Sequence, residues 1–259
     1  MRIALNLLQG LFLVIWSVFW ISLAVLATVC TLSGELALKM ARRCWAPALI
    51  WGSGARFRVE PLPALDWTKP RIFVLNHESM LDIPCAFAAI PSNLRFVAKH
   101  SLKYVPFLGW YMWLTGMVFV NRGKREQAFA SLRKGGERIR NGATILAFPE
   151  GTRTGRGHVL PFKKGIFVLA LEAGVPIVPV AISGSAKVLP TGGFRLRGGE
   201  VRLKMGAPIP TAGRPPEDRD ALMREVREAV IRLHREIGGA GGAPDREPAP
   251  ARQAHASVA

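Results

Sequence analysis

The chain has 259 residues, a formal net charge of +17, 49% hydrophobic residues and a positive mean hydropathy. That length supports one sizeable domain plus appendages, and three scattered cysteines (Cys30, Cys44, Cys85) exclude a disulfide framework or a zinc cluster, so they read as reduced packing thiols. The charge fits nucleic acid, or an anionic membrane with anionic substrates; without zinc-finger spacing or RNP-like aromatics, no nucleic-acid partner is expected.

From Ile3 to Gly34 there is no charged residue over 32 positions, more than the roughly 20 needed to span a bilayer. As one straight helix the run would be about 48 Å long against a hydrocarbon core of about 30 Å. It therefore tilts, breaks or lies partly in the interface, and whether it spans stays open. On a helical wheel Asn6, Gln9, Ser17, Thr28 and Thr31 share an arc of about 100°, a stripe suited to a neighbouring helix or to headgroups. Cys44 to Ile50, with Trp45 and Trp51, is too short to span and suits a hairpin arm. Trp16, Trp20, Trp45 and Trp51 suit a membrane interface. A secretory signal is disfavoured, because the run exceeds a typical signal core and only Arg2 precedes it. Lys39, Arg42 and Arg43 follow the run and place the remainder in the cytoplasm. The expectation is a membrane-anchoring segment over 1–52, in the cytoplasmic (inner) membrane, with the catalytic domain on its cytoplasmic face.

Strands are predicted at Arg56–Glu60, Arg71–Leu75, Leu94–Ala98, Met117–Val120, Thr144–Phe148, Ile177–Ile182 and Val201–Met205. Helices are predicted from Pro84, over Lys124–Arg140 with a stop at Asn141-Gly142, around Phe167–Ala173 before Gly174, and over Asp218–Ile237. The last carries Leu222, Val226, Val230, Leu233 and Ile237 on one face. Alternating strands and helices imply an α/β domain over 53–237, with a mixed, largely parallel central sheet flanked by helices. Gly, Ala and Pro dominate 238–259, which reads as a disordered tail.

Two constellations sit at strand ends. The first is Asn76-His77-Glu78-Ser79-Met80-Leu81-Asp82, at a strand-to-helix junction of the kind where open α/β sheets build sites. A histidine titrates near neutrality and can serve as general base, and a carboxylate on its other nitrogen fixes the tautomer. His77 and Asp82 fit these roles; a surface histidine beside a helix start fits the same residues. Ser79 is a conceivable nucleophile, but no Gly-x-Ser-x-Gly elbow accompanies it. The second is Phe148-Pro149-Glu150-Gly151-Thr152-Arg153, where Gly151 permits an unusual turn and Arg153 offers a bidentate phosphate binder; an ordinary charged turn fits equally. Gly116–Arg122 ends a strand with an arginine, and Val175-Pro176-Ile177-Val178-Pro179-Val180 shapes the sheet or an acyl groove. Lys99, Lys163 and Lys164 are candidate phosphate contacts. The five histidines (77, 100, 158, 234, 255) make no metal-ligand pattern, so no metal is expected.

Together, in this order, these motifs resemble the PlsC family of 1-acyl-glycerol-3-phosphate acyltransferases over roughly Arg71 to Ile182. The family shares Asn-His-x4-Asp, a later arginine motif, Phe-Pro-Glu-Gly-Thr-Arg and Val-Pro-[Ile/Val]-[Val/Ile]-Pro. Lys99–Trp110 is similar to the segment between its first two motifs, and Thr154 stands where many members have serine. The resemblance implies the glycerol-3-phosphate acyltransferase-like fold and direct attack by a lipid hydroxyl on an acyl thioester. His77 would be general base and Asp82 its orienter. Arg122, Glu150, Gly151, Thr152 and Arg153 would bind the glycerol phosphate, with Lys99 a likelier helper than Lys163. The implied partners are lysophosphatidic acid, acyl-ACP or acyl-CoA as co-substrate, acyl carrier protein and membrane lipids, with no cofactor. Alternatives are another lyso-lipid acceptor such as a lyso-ornithine lipid, a thioesterase or lipid hydrolase, and a non-catalytic anionic-lipid binder.

Overall fold

The structure is a computed structural model that describes residues 2–121, 131, 135–155, 157–193 and 195–243. Its strands are β1 (Ala55–Val59), β2 (Ile72–Leu75), β3 (Leu94–Lys99), β4 (Val118–Val120), β5 (Thr144–Ala147), β6 (Ile177–Ser183) and β7 (Gly199–Met205). Among the described residues they form one sheet in the order β1-β7-β6-β2-β5-β3-β4. β6, β2, β5, β3 and β4 run parallel, whereas β7 is antiparallel to β6 and parallel to β1. This is the mixed, largely parallel sheet expected from the sequence.

β2 and β5 are wholly buried, as central strands of a parallel sheet must be when both faces are covered. Alternate side chains enter two cores. Phe73 and Leu75 point to one face, and Ile72 and Val74 to the other. The second face is covered by α6 (Gly165–Ala173) and α8 (Arg219–Glu236), whose Phe167, Leu169, Leu222, Val226 and Val230 are buried there. The buried face of α8 is the amphipathic stripe read from the sequence. Of the helix expected over Lys124–Arg140, residues 131 and 135–140 are described and helical; the rest lies outside the described residues.

The first face is covered by α4 (Asp82–Ala89), α5 (Leu108–Leu114) and an N-terminal hairpin. The long arm of the hairpin is α1 (Arg2–Thr31). The chain reverses at Leu32 and Ser33, then runs through α2 (Gly34–Met40), one π-helical turn (Ala41–Trp45) and α3 (Ala46–Gly52). The polar stripe of α1 explains the pairing. Trp45 Nε1 donates to Ser17 Oγ at 3.1 Å, and Gln9 Nε2 donates to the Gly52 carbonyl at 3.1 Å. Ala37, Leu38, Ala46 and Ile50 share a core with Phe73 and Leu75, so the short arm is a layer of the domain. The outer face of α1 stays apolar and exposed, from Ile3 through Leu11, Ile15 and Phe19 to Leu26 and Val29. By length and composition α1 could cross a membrane.

The chain past α8 departs from the expected disorder. Gly238 to Ala243 folds back, with Val159 N donating to the Gly241 carbonyl and Ala243 N donating to the Val159 carbonyl. Residues 244–259 of the expected tail lie outside the described residues.

Candidate active site

Parallel strands bring their C-terminal ends to one edge, where the backbone leaves the sheet and its side chains are no longer committed to packing. At that edge β6 delivers Ser185, β2 delivers His77, β5 delivers Glu150 and β3 delivers Lys99, in spatial order. Asn76 splices the site onto the sheet. Its Nδ2 donates to the Ile182 carbonyl at 2.9 Å and its Oδ1 accepts from Ile182 N at 2.8 Å, so a side-chain amide continues the β2–β6 ladder.

His77 Nδ1 lies 2.8 Å from Asp82 Oδ2. That oxygen also accepts from Glu78 N at 2.7 Å and Ser79 N at 2.9 Å. An oxygen already receiving two N–H groups in a buried site acts as an acceptor, so Nδ1 carries the proton and the lone pair is on Nε2. Asp82 Oδ1 accepts from the Ser185 hydroxyl. Both oxygens are thus satisfied, although Asp82 is fully buried. The His77 ring stacks on Phe148, with centroids 4.1 Å apart and planes 25° apart. Phe148 in turn stacks towards Phe96 at 6.2 Å, which gives the histidine an apolar wall.

Ser79 is accounted for by structure. Its hydroxyl donates to the Leu189 carbonyl at 2.7 Å and accepts from Leu81 N at 3.2 Å, and the residue is fully buried. It pins the turn into α4, which corrects its candidacy as a nucleophile. Cys85 is likewise buried and free, and burial together with nearby Asp82 pushes its thiol well above the ordinary value, so it is inert.

The second loop stands beside the first. Glu150 Oε1 accepts from His77 N at 3.1 Å, and Thr154 N donates to the His77 carbonyl at 3.0 Å, so the two motifs are stitched through the histidine backbone. Burial pushes the Glu150 carboxyl up to about 9, against the pull of the His77 and Leu160 N–H groups, and neighbouring Asp82 and Glu78 raise it further. Its Oε2 has no hydrogen-bond partner among the described residues. Gly151 adopts φ +73°, and a Cβ there would lie 2.7 Å from Lys163 Nζ. Lys163 therefore lies against the motif, while Lys99 sits exposed at the end of β3. Thr152 and Arg153 are exposed. Arg122 lies outside the described residues.

Three residues of the site escaped the sequence reading. Glu78 sits between His77 and Asp82, at a position the Asn-His-x4-Asp pattern leaves undefined. Ser185 belongs to a short helix, α7 (Ser185–Val188), with no motif of its own. His234 was set aside for lack of metal spacing, yet its Nε2 lies 3.0 Å from Glu78 Oε1. Its place four residues after Val230, on the apolar face of α8, was the available signal.

Residues 56–183, which span the sheet edge that carries His77, match the family model described as Acyltransferase. The chain is 37% identical over 220 residues to 1-acyl-sn-glycerol-3-phosphate acyltransferase of Saccharomyces cerevisiae, covering 83% of this chain and 72% of the yeast protein. It is 32% identical over 192 residues to the human 1-acyl-sn-glycerol-3-phosphate acyltransferase alpha, covering 73% of this chain and 68% of that one. The crystal structure of PlsC, the LPA acyltransferase of Thermotoga maritima, superposes with a TM-score of 0.76 at 30% identity, covering 92% of this chain and 98% of that chain. This chain belongs to the PlsC-type 1-acyl-sn-glycerol-3-phosphate acyltransferase family.

Proposed function

We propose that the enzyme transfers a fatty acyl group from an acyl thioester, acyl-ACP or acyl-CoA, to the sn-2 hydroxyl of 1-acyl-glycerol-3-phosphate, making phosphatidic acid. The observation that carries this is the His77–Asp82 couple, with Nδ1–H held by a buried carboxylate and Nε2 left as the base. His77 Nε2 takes the hydroxyl proton as the oxygen attacks the thioester carbonyl, and Asp82 stabilises the imidazolium. The tetrahedral intermediate collapses by breaking the C–S bond. The thiolate leaves and takes the proton from His77, restoring the starting state. The Phe148 ring gives one side of the base an apolar surface.

The second loop suits the phosphate. Exposed Arg153 supplies a charge-assisted, bidentate donor, and Thr152 a hydroxyl. A Glu150 carboxyl pushed up to about 9 is neutral at pH 7, so it does not repel a phosphate, and its Oε2, without a partner among the described residues, can present a proton to one. Gly151 and Lys99 complete the assignment with Arg122, and Lys163 joins them on the strength of its contact with Gly151. The chemistry uses these side chains and two substrates, with no cofactor or metal assigned a step.

For the membrane, the geometry favours α1 lying along the surface of one leaflet. The short arm packed alongside α1 carries Lys39, Arg42 and Arg43, which a spanning α1 would carry into the hydrocarbon. Lys39, Arg42 and Arg43 suit the anionic lipids of a cytoplasmic leaflet, so the face assigned is the cytoplasmic one of the inner membrane. Acyl carrier protein and membrane lipids are the proposed partners.

The test is thiol release from acyl-CoA and acyl-ACP by purified enzyme in detergent, with and without lyso-lipid acceptors. The reading expects release to require lysophosphatidate and phosphatidate to form in equal amount. Equal release without any acceptor marks a hydrolase, and preference for another lyso-lipid, such as a lyso-ornithine lipid, overturns the acceptor assignment.

A further inference from the structure

Behind the His77–Asp82 couple stands a second histidine–carboxylate couple that the reaction does not consume. Glu78 and His234 are both buried, 156 positions apart in sequence, with His234 Nε2 at 3.0 Å from Glu78 Oε1. The tautomer of His234 is fixed by its surroundings. Gly241 N donates to Nδ1 at 3.1 Å, so Nδ1 is the acceptor and the proton is on Nε2, donated to Glu78. Glu78 Oε2 accepts from Gly184 N at 3.2 Å and lies 3.4 Å from the Ser185 hydroxyl. That hydroxyl donates to Asp82 Oδ1, the shorter of its two carboxylate contacts. A continuous path therefore runs from α8 through Glu78 and the Gly184–Ser185 turn to Asp82 and then to Nδ1 of His77.

The tail beyond α8 is built around the His234 ring. A Cβ at Gly239 would lie 2.2 Å from His234 Nε2, so nothing larger than glycine fits there. Gly241 holds φ +83°, and its N–H makes the contact to Nδ1. The same tail bridges Val159, and Arg227 of α8 donates to the Leu160 and Val159 carbonyls at 3.2 and 3.3 Å. Leu160 N–H in turn supports Glu150. One helix and its glycine turn thus brace both motif loops from behind. Burying a carboxylate and an imidazole is costly where an apolar pair would fill the volume. Packing alone does not account for a pair whose partners lead to the catalytic carboxylate.

We infer that Glu78 and His234 are positioning residues for the acyl transfer: through Ser185 they fix the orientation of Asp82, and so the direction in which His77 Nε2 points at the acceptor hydroxyl. They touch neither substrate. The inference rests on His77 being the base, and its test separates the two.

The experiment is steady-state kinetics on full-length His234→Phe, His234→Gln and Ser185→Ala with lysophosphatidate and acyl-CoA, with thermal unfolding measured alongside. His234→Phe keeps the volume and loses the donor. It is expected to lower kcat about 10- to 100-fold with both KM values within about twofold of wild type. His234→Gln, which can donate to Glu78 and accept from Gly241 N, is expected to recover kcat to within about threefold. Ser185→Ala cuts the path while leaving the buried pair intact, and gives the same kcat loss should His234→Phe not fold. In an Asp82→Asn background, His234→Phe is expected to add less than about threefold, because the path then ends in a damaged couple. Wild-type kcat in folded Ser185→Ala or His234→Phe overturns the inference, as does a loss confined to KM. If His77→Ala is inactive while these variants are fully active, the positioning role fails and the base stands. If His77→Ala is fully active, the base assignment itself fails.

Discussion

The two motif loops lie side by side at one sheet edge, yet they are finished differently. In the 76–82 loop the polar groups around the base are spent, with only His77 Nε2 left over for the reaction: both Asp82 oxygens, both Asn76 amide atoms and the Ser79 hydroxyl have partners inside the protein. In the 148–158 loop Glu150 Oε2, Thr154 Oγ1 and His158 Nδ1 are buried without hydrogen-bond partners among the described residues, and Thr152 and Arg153 face solvent. Buried polar atoms are normally satisfied, so leftover capacity beside the histidine leaves room for a ligand to complete the count. The difference separates two tasks. On the proposed mechanism the first loop holds a reactive geometry that must not change, and the second is left open for an anionic substrate.

The contrast predicts two kinetic signatures. Asp82→Asn should lower kcat about 10³- to 10⁴-fold with KM little changed, since the amide cannot hold His77 in the right tautomer. Arg153→Ala should raise KM for the phosphate-bearing acceptor about 10- to 100-fold with kcat within a few-fold, as expected for loss of a charge-assisted bond of about 1.5–3 kcal/mol. A kcat effect at Arg153 matching that at Asp82 would break the comparison. Both follow from initial rates at varied lysophosphatidate.

Stability sharpens it further. Glu150 titrates at about 9 in the folded protein against 4.5 for a free glutamate, so between those values the folded state holds more protons than the unfolded one. The linked stability is complete below about 4.5 and is lost as pH rises to about 9. Melting temperature should therefore fall as pH rises through this window, and Glu150→Gln should flatten the fall. Gly151→Ala should cost about 1–2 kcal/mol, because the left-handed backbone there disfavours any Cβ. It should also displace the Lys163 amine and so raise acceptor KM, which ligand-free melting curves and kinetics report separately. The smallest effect is expected at Thr154→Ser, within about 0.5 kcal/mol and with unchanged kinetics, because the backbone N–H of this residue makes its link to the His77 carbonyl.

Much of this was legible in the sequence, and the reason is local. Apolar runs such as Ile72–Leu75 and Thr144–Ala147 announce buried strands, and a motif that follows each one is carried to the C-terminal edge by the parallel order. The polar stripe of α1 likewise announced a partner helix, found in the Trp45–Ser17 bond. What stayed hidden depends on contacts across the chain. The reversal of β7 against β6 has no local signature, because β7 alternates as any half-buried strand does. His234 and Glu78 meet only once α8 is packed on the sheet. The glycines after α8 read as disorder by composition, but Gly239 is glycine because the His234 ring occupies the space of a side chain.

The most direct measurement is the initial rate of phosphatidate formation by His77→Ala, from lysophosphatidate and acyl-CoA, in enzyme shown to be folded by its melting curve. The account predicts a loss of at least about 10³-fold, with acceptor affinity retained because the phosphate loop is untouched. A rate within about tenfold of wild type would contradict it, because the couple with Asp82 would then have no part in moving the proton.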